Sequence, residues 1–241
     1  SLGATNVFAQ AELLSLYDPD RTQQIFYRNE QKTWQSFVAE FRGKVEENRQ
    51  NGGAGIRFLT ETVTSPTLIA QFKQILTELP GAKWYQYEPV NKDNAHQGAK
   101  LAFGSPVNTV YKFDKAERIL SLDADIFGGT NVRYMKDFSK GRKVGHGEES
   151  KMNRLYTVET TLSLTGAKSD HRLAVKPSEM TEVAKAIAKA LGVSGASSAY
   201  SNKWVDVMAK DLLEAKGKSL VVAGDNQPPV VHALAHAMNA A

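Results

Sequence analysis

The chain of 241 residues contains no cysteine. That absence excludes disulfides, a thiol nucleophile, cysteine-ligated zinc and cysteine-ligated iron–sulfur clusters within these residues, and it leaves the redox compartment open. Long apolar runs are missing too. None approaches the ~18 consecutive residues a membrane-spanning helix requires, so no direct membrane insertion is expected. Charge of one sign is not concentrated either: 30 Lys and Arg against 26 Asp and Glu leave a formal +4, with the signs interspersed. A surface that tracks phosphates needs clustered basic side chains, so no nucleic-acid partner is expected. The densest basic stretch, Lys140, Arg142 and Lys143 with Lys151 and Arg154 beyond, is interrupted by Glu148 and Glu149 and reads as a solvated loop.

Several signatures of chemistry are lacking as well. There is no G-x-S-x-G elbow for a serine nucleophile, no carboxylate pair stands out for acid–base work, and no short-period repeat is found. Ser1 opens the chain without Met or a signal peptide, and the helix expected after Pro228 has no C-terminal glycine stop. On both grounds a piece trimmed from a longer protein is expected.

What is present is a hydrophobic content of 41%, enough for a substantial core. A short helix is expected over residues 10–16, stopped by the Asp18-Pro19-Asp20 turn. Thr33 is placed to cap a helix that repeats Phe37, Phe41 and Val45 on one face. Glycines 52, 53 and 55 end it. A strand over residues 56–60 then precedes Ser65-Pro66, a capping hydroxyl and first-turn proline ahead of Leu68, Ile69, Phe72, Ile75 and Leu76 at helical spacing. The rhythm continues with strands at 83–87, 118–123, 154–158, 172–175 and 219–224. Helices are expected at 94–103, 131–138, from Pro177 to Leu191, at 203–215 and from Pro228. Residues 159–171 read as an irregular Thr/Ser-rich connection, and residues 192–198 as a small-residue linker.

Strands alternating with helices, and strands apolar throughout, predict an α/β fold with doubly wound, mostly parallel Rossmann-like sheets flanked by helices. The expected organisation is an N-terminal helical segment over residues 1–50 packing on the core, a first α/β unit over 51–150, and a second, truncated at its C-terminus, over 151–241.

Ligand loops in such sheets lie at the carboxyl ends of strands. Gly128, Gly129, Thr130 and Asn131 occupy one such position, ahead of a helix N-terminus that can accept an anion. Gly224, Asp225, Asn226 and Gln227 occupy another. The first loop lacks the G-x-G-x-x-G spacing of a dinucleotide fingerprint, and it reads first as a strand-to-helix turn needing positive φ, ahead of a ligand-contacting loop. In the second, Asp and Asn also make turns and caps. His232 and His236, four apart, share a helix face as a two-histidine metal pair would, but no third ligand is in view. His171 beside Asp170 suits a polar network.

Several segments in order resemble the large subunit of molybdopterin oxidoreductases of the dimethyl sulfoxide reductase superfamily. Residues 3–21, ending Leu16-Tyr17-Asp18-Pro19-Asp20-Arg21, resemble the stretch where a glycine and a cysteine precede a helix and a Tyr-x-Pro-Asp-Arg turn. Thr33-Trp34 and its helix resemble a Ser-Trp-Asp-Glu-Ala helix. Asp170-His171-Arg172-Leu173 through Lys176-Pro177 resembles an Asp-x-x-Leu-x-x-(Arg/Lys)-Pro segment. Within that superfamily, residues 120–127 and 152–173 are most similar to the iron–sulfur subunit of alternative complex III, a bacterial respiratory assembly that oxidises quinol.

The resemblance implies a fold like the middle domains of those enzymes. It also implies a remnant without cofactor, iron–sulfur clusters only in a downstream region, partner subunits in a membrane-bound respiratory complex, and a location on the periplasmic side of a bacterial inner membrane. No catalytic residue and no metal ligand is expected. The alternative it implies is part of an active molybdopterin oxidoreductase, with residues 128–131 and 224–227 holding molybdopterin guanine dinucleotide. Two departures favour the first reading. Asn6 stands where the enzymes have the last cluster cysteine, and Phe8 where many have a basic residue between cluster and pterin; asparagine cannot replace a thiolate on iron.

Overall fold

The computed structural model describes residues 5–129, 131–143 and 152–241. Thr130, Glu148, Glu149 and Lys151 lie outside the described residues, as does Gly3 at the head of the first resembling segment. The chain divides into two compact units, one of residues 11–90 and one of residues 91–241 with the N-terminal segment up to Gln10.

The first helix, α1 (Val7–Ala11), is capped by Asn6, whose Oδ1 accepts from the Ala9 N–H at 2.7 Å. It gives way to a 3₁₀ turn over Glu12–Tyr17 instead of the single helix expected over 10–16. Leu13, Leu14 and Leu16 are all exposed, so no buried face holds an α-helical period there. In the unit of residues 11–90, β1 (Ile25–Tyr27) and β2 (Glu30–Lys32) form an antiparallel hairpin. Arg28 and Asn29, both at positive φ, make its two-residue turn. Helix α2 (Trp34–Arg49) starts where the Thr33 hydroxyl accepts from the Ser36 N–H. Parallel strands β3 (Arg57–Thr60) and β4 (Lys83–Gln86) flank α3 (Pro66–Glu78), which Ser65 caps. The core of this unit is aromatic: Phe72 stacks on Trp84 with centroids 4.4 Å apart and meets the edge of Phe58.

The larger unit runs α4 (Asp93–Phe103), β5 (Arg118–Leu122), α5 (Val132–Lys140), β6 (Arg154–Glu159), α6 (Leu164–Lys168), β7 (His171–Ala174), α7 (Met180–Ala190), α8 (Lys203–Glu214), β8 (Ser219–Ala223) and α9 (Pro229–Ala240). Four strands pair in parallel in the order β7-β6-β5-β8. The sheet takes β5 from one side of the boundary expected near residue 150 and its other three strands from the other side.

Alternation along each strand divides the core between two faces. Leu120, Leu122, Tyr156, Val158, Val221 and Ala223 pack with α7, α8 and α9. Ile119, Leu155 and Val222 pack with Phe113 and with Phe138 of α5. Burial on both faces is why β5 reads as a continuous apolar run, and each such Leu or Ile contributes about 1.5–3 kcal/mol. The periodicity expected in α7 is seen, with Met180, Val183, Ala184, Ile187 and Leu191 all buried. In α8 the buried face is shifted: Val205 is buried with Met208 and Leu212, and Val207 faces solvent. The connection expected to be irregular contains α6, because Ser163 caps it by accepting from the Gly166 N–H. No helix among the described residues is long and apolar enough to cross a membrane.

Candidate functional site

Where β5 ends, Asp123 sits at φ 57°, in the left-handed region that a residue with a Cβ seldom adopts. Its side chain accounts for the strain. Oδ1 accepts from the Thr160 N–H at 2.9 Å, the Thr160 hydroxyl reaches both carboxylate oxygens, and the Gln227 side-chain amide donates to Oδ2 at 2.8 Å. Thr160 follows β6 and Gln227 follows β8. One carboxylate therefore ties together the exits of three adjacent strands.

The next carboxylate closes the glycine loop. Asp125 Oδ1 accepts from the Thr165 N–H at 3.1 Å and the Thr165 hydroxyl at 2.7 Å, and that hydroxyl oxygen accepts from the Phe127 N–H. A Cβ built on Gly128 would lie 1.9 Å from Asp125 Oδ2. Glycine stands there because a carboxylate fills the inside of the turn. Gly224 is held as tightly, since a Cβ on it would meet the Asp123 carbonyl oxygen at 2.1 Å.

The sheet order reverses between β5 and β8, the position at which open α/β sheets hold ligands. A cavity of about 550 Å³ opens there, within the ~300–1,000 Å³ of small-molecule sites. Gly129, Asn131, Gly224 and Asp225 of the anticipated loops line it, together with Asp125, which sequence reasoning did not single out. Asn131 also caps α5, its side chain accepting from the Tyr134 N–H at 3.3 Å. Asn226 is exposed and does not line the cavity, and Gln227 is buried and turned to Asp123. Phe127 packs edge-on against Phe138 and Arg133 pairs with Asp137, so neither occupies the space.

One wall is aromatic. Tyr134 accepts the Tyr111 N–H at 3.1 Å, and burial, with Tyr134 and Asp225 adding to it, pushes the Tyr111 hydroxyl up to about 12. It stays protonated across the physiological range. Helix α9 contributes His232 and His236 to the lining. His232 is 3% exposed, and its Nε2 has no hydrogen-bond partner among the described residues. Burial holds the imidazole below its ordinary range, against the opposing pull of Asp225 and of backbone groups at Gln227 and Gly224. Burial depresses His236 too, and its ring packs against Phe103 at 4.9 Å. Among the described residues no group of three His, Cys, Asp or Glu side chains is arranged to hold a metal ion. His171 lies far along the sheet from this wall and stacks on Tyr156, while its neighbour Asp170 forms a two-pronged pair with Arg142.

These groups suit a pyrophosphate poorly. Two carboxylates, Asp125 and Asp225, border the cavity, with Lys92 as the cation among its lining residues. The β8 exit leads into Pro228-Pro229, which lack the N–H groups a helix N-terminus offers to anions. Both anticipated loops thus place a carboxylate beside the space where a phosphate would lie. No protein-family model matches the chain, and no curated protein matches it.

Proposed function

We propose that this chain is a cofactor-free scaffold domain, doubly wound and Rossmann-like, in the electron-transfer subunit of a quinol-oxidising respiratory complex of the alternative complex III type. The order of the resembling segments supports that family reading. The observation that carries the cofactor-free part is the Asp125 carboxylate filling the Gly128 turn, where a phosphate-binding loop presents backbone N–H groups instead.

On this reading the domain positions and docks, and electrons pass through clusters in other regions or subunits on the periplasmic side of the membrane. Exposed aromatics on α2 suit a docking role. Trp34, Phe37 and Phe41 follow one another at helical spacing, each at least 45% exposed, with neighbouring ring centroids 5.2 and 5.9 Å apart.

The test is affinity purification of the protein from its native membranes, with subunits identified by mass spectrometry and molybdenum and pterin assayed per chain. The reading expects quinol-oxidising partner subunits and neither molybdenum nor pterin assigned to this chain. Stoichiometric molybdenum with pterin would instead return the alternative, part of an active molybdopterin oxidoreductase.

A further inference from the structure

We propose that α4 is an acid-released cover over the β5 and β8 strand exits: proton uptake by His232 and His236, on the α9 face against which α4 packs, frees the helix while the sheet stays folded. This goes beyond the scaffold reading and does not depend on the respiratory assignment.

Three observations converge. The first is how α4 is held. Among the described residues α9 is the element it packs against, and its contacts with other helices and strands are marginal. It buries only Gly98 and Ala99, Leu101 and Phe103 remain exposed, and no side chain caps its N-terminus. A helix of 11 residues with a single interface has little stability of its own. The second is what that interface contains. A Cβ on Gly98 would meet the His232 Cβ at 2.3 Å, and His236, one turn further on, packs its ring against Phe103. Both histidines of α9 therefore lie against α4. The third is position. Ala95 and His96 of α4, with Lys92 at its N-cap, line the cavity between the strand exits, so release of the helix opens that cavity.

The surroundings favour neutral rings. His232 is 3% exposed, and its Nε2 is buried without a hydrogen-bond partner among the described residues, so a proton placed there gains no compensating contact. Burial depresses both imidazoles, and His236 adds to the effect at His232. Asp225 at the β8 exit and backbone groups at Gln227 and Gly224 oppose this without overcoming it. Helix α4 and its N-cap carry Lys92, Asp93, His96 and Lys100; of these Lys92 and His96 line the cavity, and His96 pairs with Asn108 at 3.0 Å. Asp125 and Tyr111 line it too. Helix α7, which also packs on α9, buries only uncharged side chains, and β8 carries no charged one. Protonation therefore costs less once α4 has moved away and water reaches the rings. By linkage the closed state is favoured in full above the ordinary histidine value of 6.5 and loses that advantage as pH falls from there towards the folded values.

The chain has no cysteine, so a single introduced thiol reports opening at a chosen place. Ala99→Cys places one in α4 and Ala184→Cys one in α7, both at fully buried positions. The full chain carrying either is reacted with a dipyridyl disulfide at about pH 7.5 and about pH 5.5, and each rate is divided by that of the same thiol in the urea-unfolded chain, which removes the intrinsic effect of pH. The normalised rate at position 99 is expected to rise about tenfold on acidification, the factor one titrating histidine supplies over that range. The thiol at position 184 should stay at least about tenfold slower at both pH values. In the Ala99→Cys chain, His232→Phe should cut the rise to about threefold or less, and His236→Gln should cut it in part, with circular dichroism confirming each fold. No rise at position 99, a thiol at position 184 that reacts as fast as the one at 99, or an undiminished rise in the folded His232→Phe and His236→Gln variants would each overturn the proposal.

Discussion

The Gln227 side chain donates to Asp123 Oδ2 at 2.8 Å across 104 residues of sequence, joining the loop after β8 to the end of β5. Because Asp123 also holds Thr160 and sits at positive φ, it bears both strain and three sets of contacts. Asp123→Ala is expected to lower stability by about 2–4 kcal/mol, from lost hydrogen bonds plus the left-handed backbone. Asp123→Asn, which tolerates that backbone and keeps an acceptor, should cost about half as much. Urea midpoints for the two variants check the order, and equal losses would show that the side-chain bonds contribute nothing.

Helices α4 and α9 meet through Gly98, where a Cβ would lie 2.3 Å from His232 Cβ and 2.7 Å from the Pro229 carbonyl oxygen. Gly98→Ala adds a methyl group with no space to receive it, although alanine is the better helix former. A loss of about 1–3 kcal/mol is expected in denaturant unfolding. A stabilised variant would mean that the helices do not approach this closely.

Acid should destabilise the protein in two stages. His232 and His236 are held below their ordinary range by burial, so the unfolded chain takes up protons first. Their contribution is complete above the unfolded histidine value of 6.5 and falls as pH drops from there towards the folded values. Asp170 and Asp211 come next. Burial alone would raise both, yet Arg142 and the Leu155 N–H outweigh it for Asp170, and Arg118, Tyr156 and Arg154 outweigh it for Asp211. Their stabilisation is present above the ordinary carboxylate value of 3.8 and is lost as pH falls through the depressed ones. Thermal melts from pH 8 to 3 should show both declines, and His232→Phe should flatten the first. A melting temperature independent of pH between 7 and 5 would contradict this.

The exposed aromatics of α2 predict a separation of folding from assembly. Phe41→Arg should change stability by less than about 0.5 kcal/mol, because Phe41 is 58% exposed. The same change should reduce recovery of partner subunits from native membranes. Intact assembly with the variant would remove α2 from the docking surface.

Local signals in the sequence were the readable ones. Thr33 and Ser65 cap helices as their spacing indicates, and the apolar runs of β5 and β8 mark a parallel sheet buried on both faces. The β1–β2 hairpin was not legible because Arg28-Asn29 lacks the glycine that usually marks a turn with positive φ at both positions. Helix α6 hid in a Thr/Ser run whose hydroxyls serve as cap and brace. The site was legible by position only. Gly128 and Gly224 stand at strand exits as expected, but their neighbours are Asp125 and the Asp123 carbonyl, contacts that no spacing encodes. Thr160 and Gln227 meet Asp123 from 37 and 104 residues away, so the clamp exists only once the sheet has formed.

Whether these strand exits have become places that exclude anions is decided most directly by titrating the chain with inorganic pyrophosphate and following the amide resonances of Gly128, Gly129 and Gly224. With Asp125 inside the first turn and Asp225 and Pro228-Pro229 in the second, no saturable shift is expected up to concentrations on the order of 10 mM. Saturable binding at micromolar concentrations, with those three amides shifting together, would contradict the cofactor-free reading.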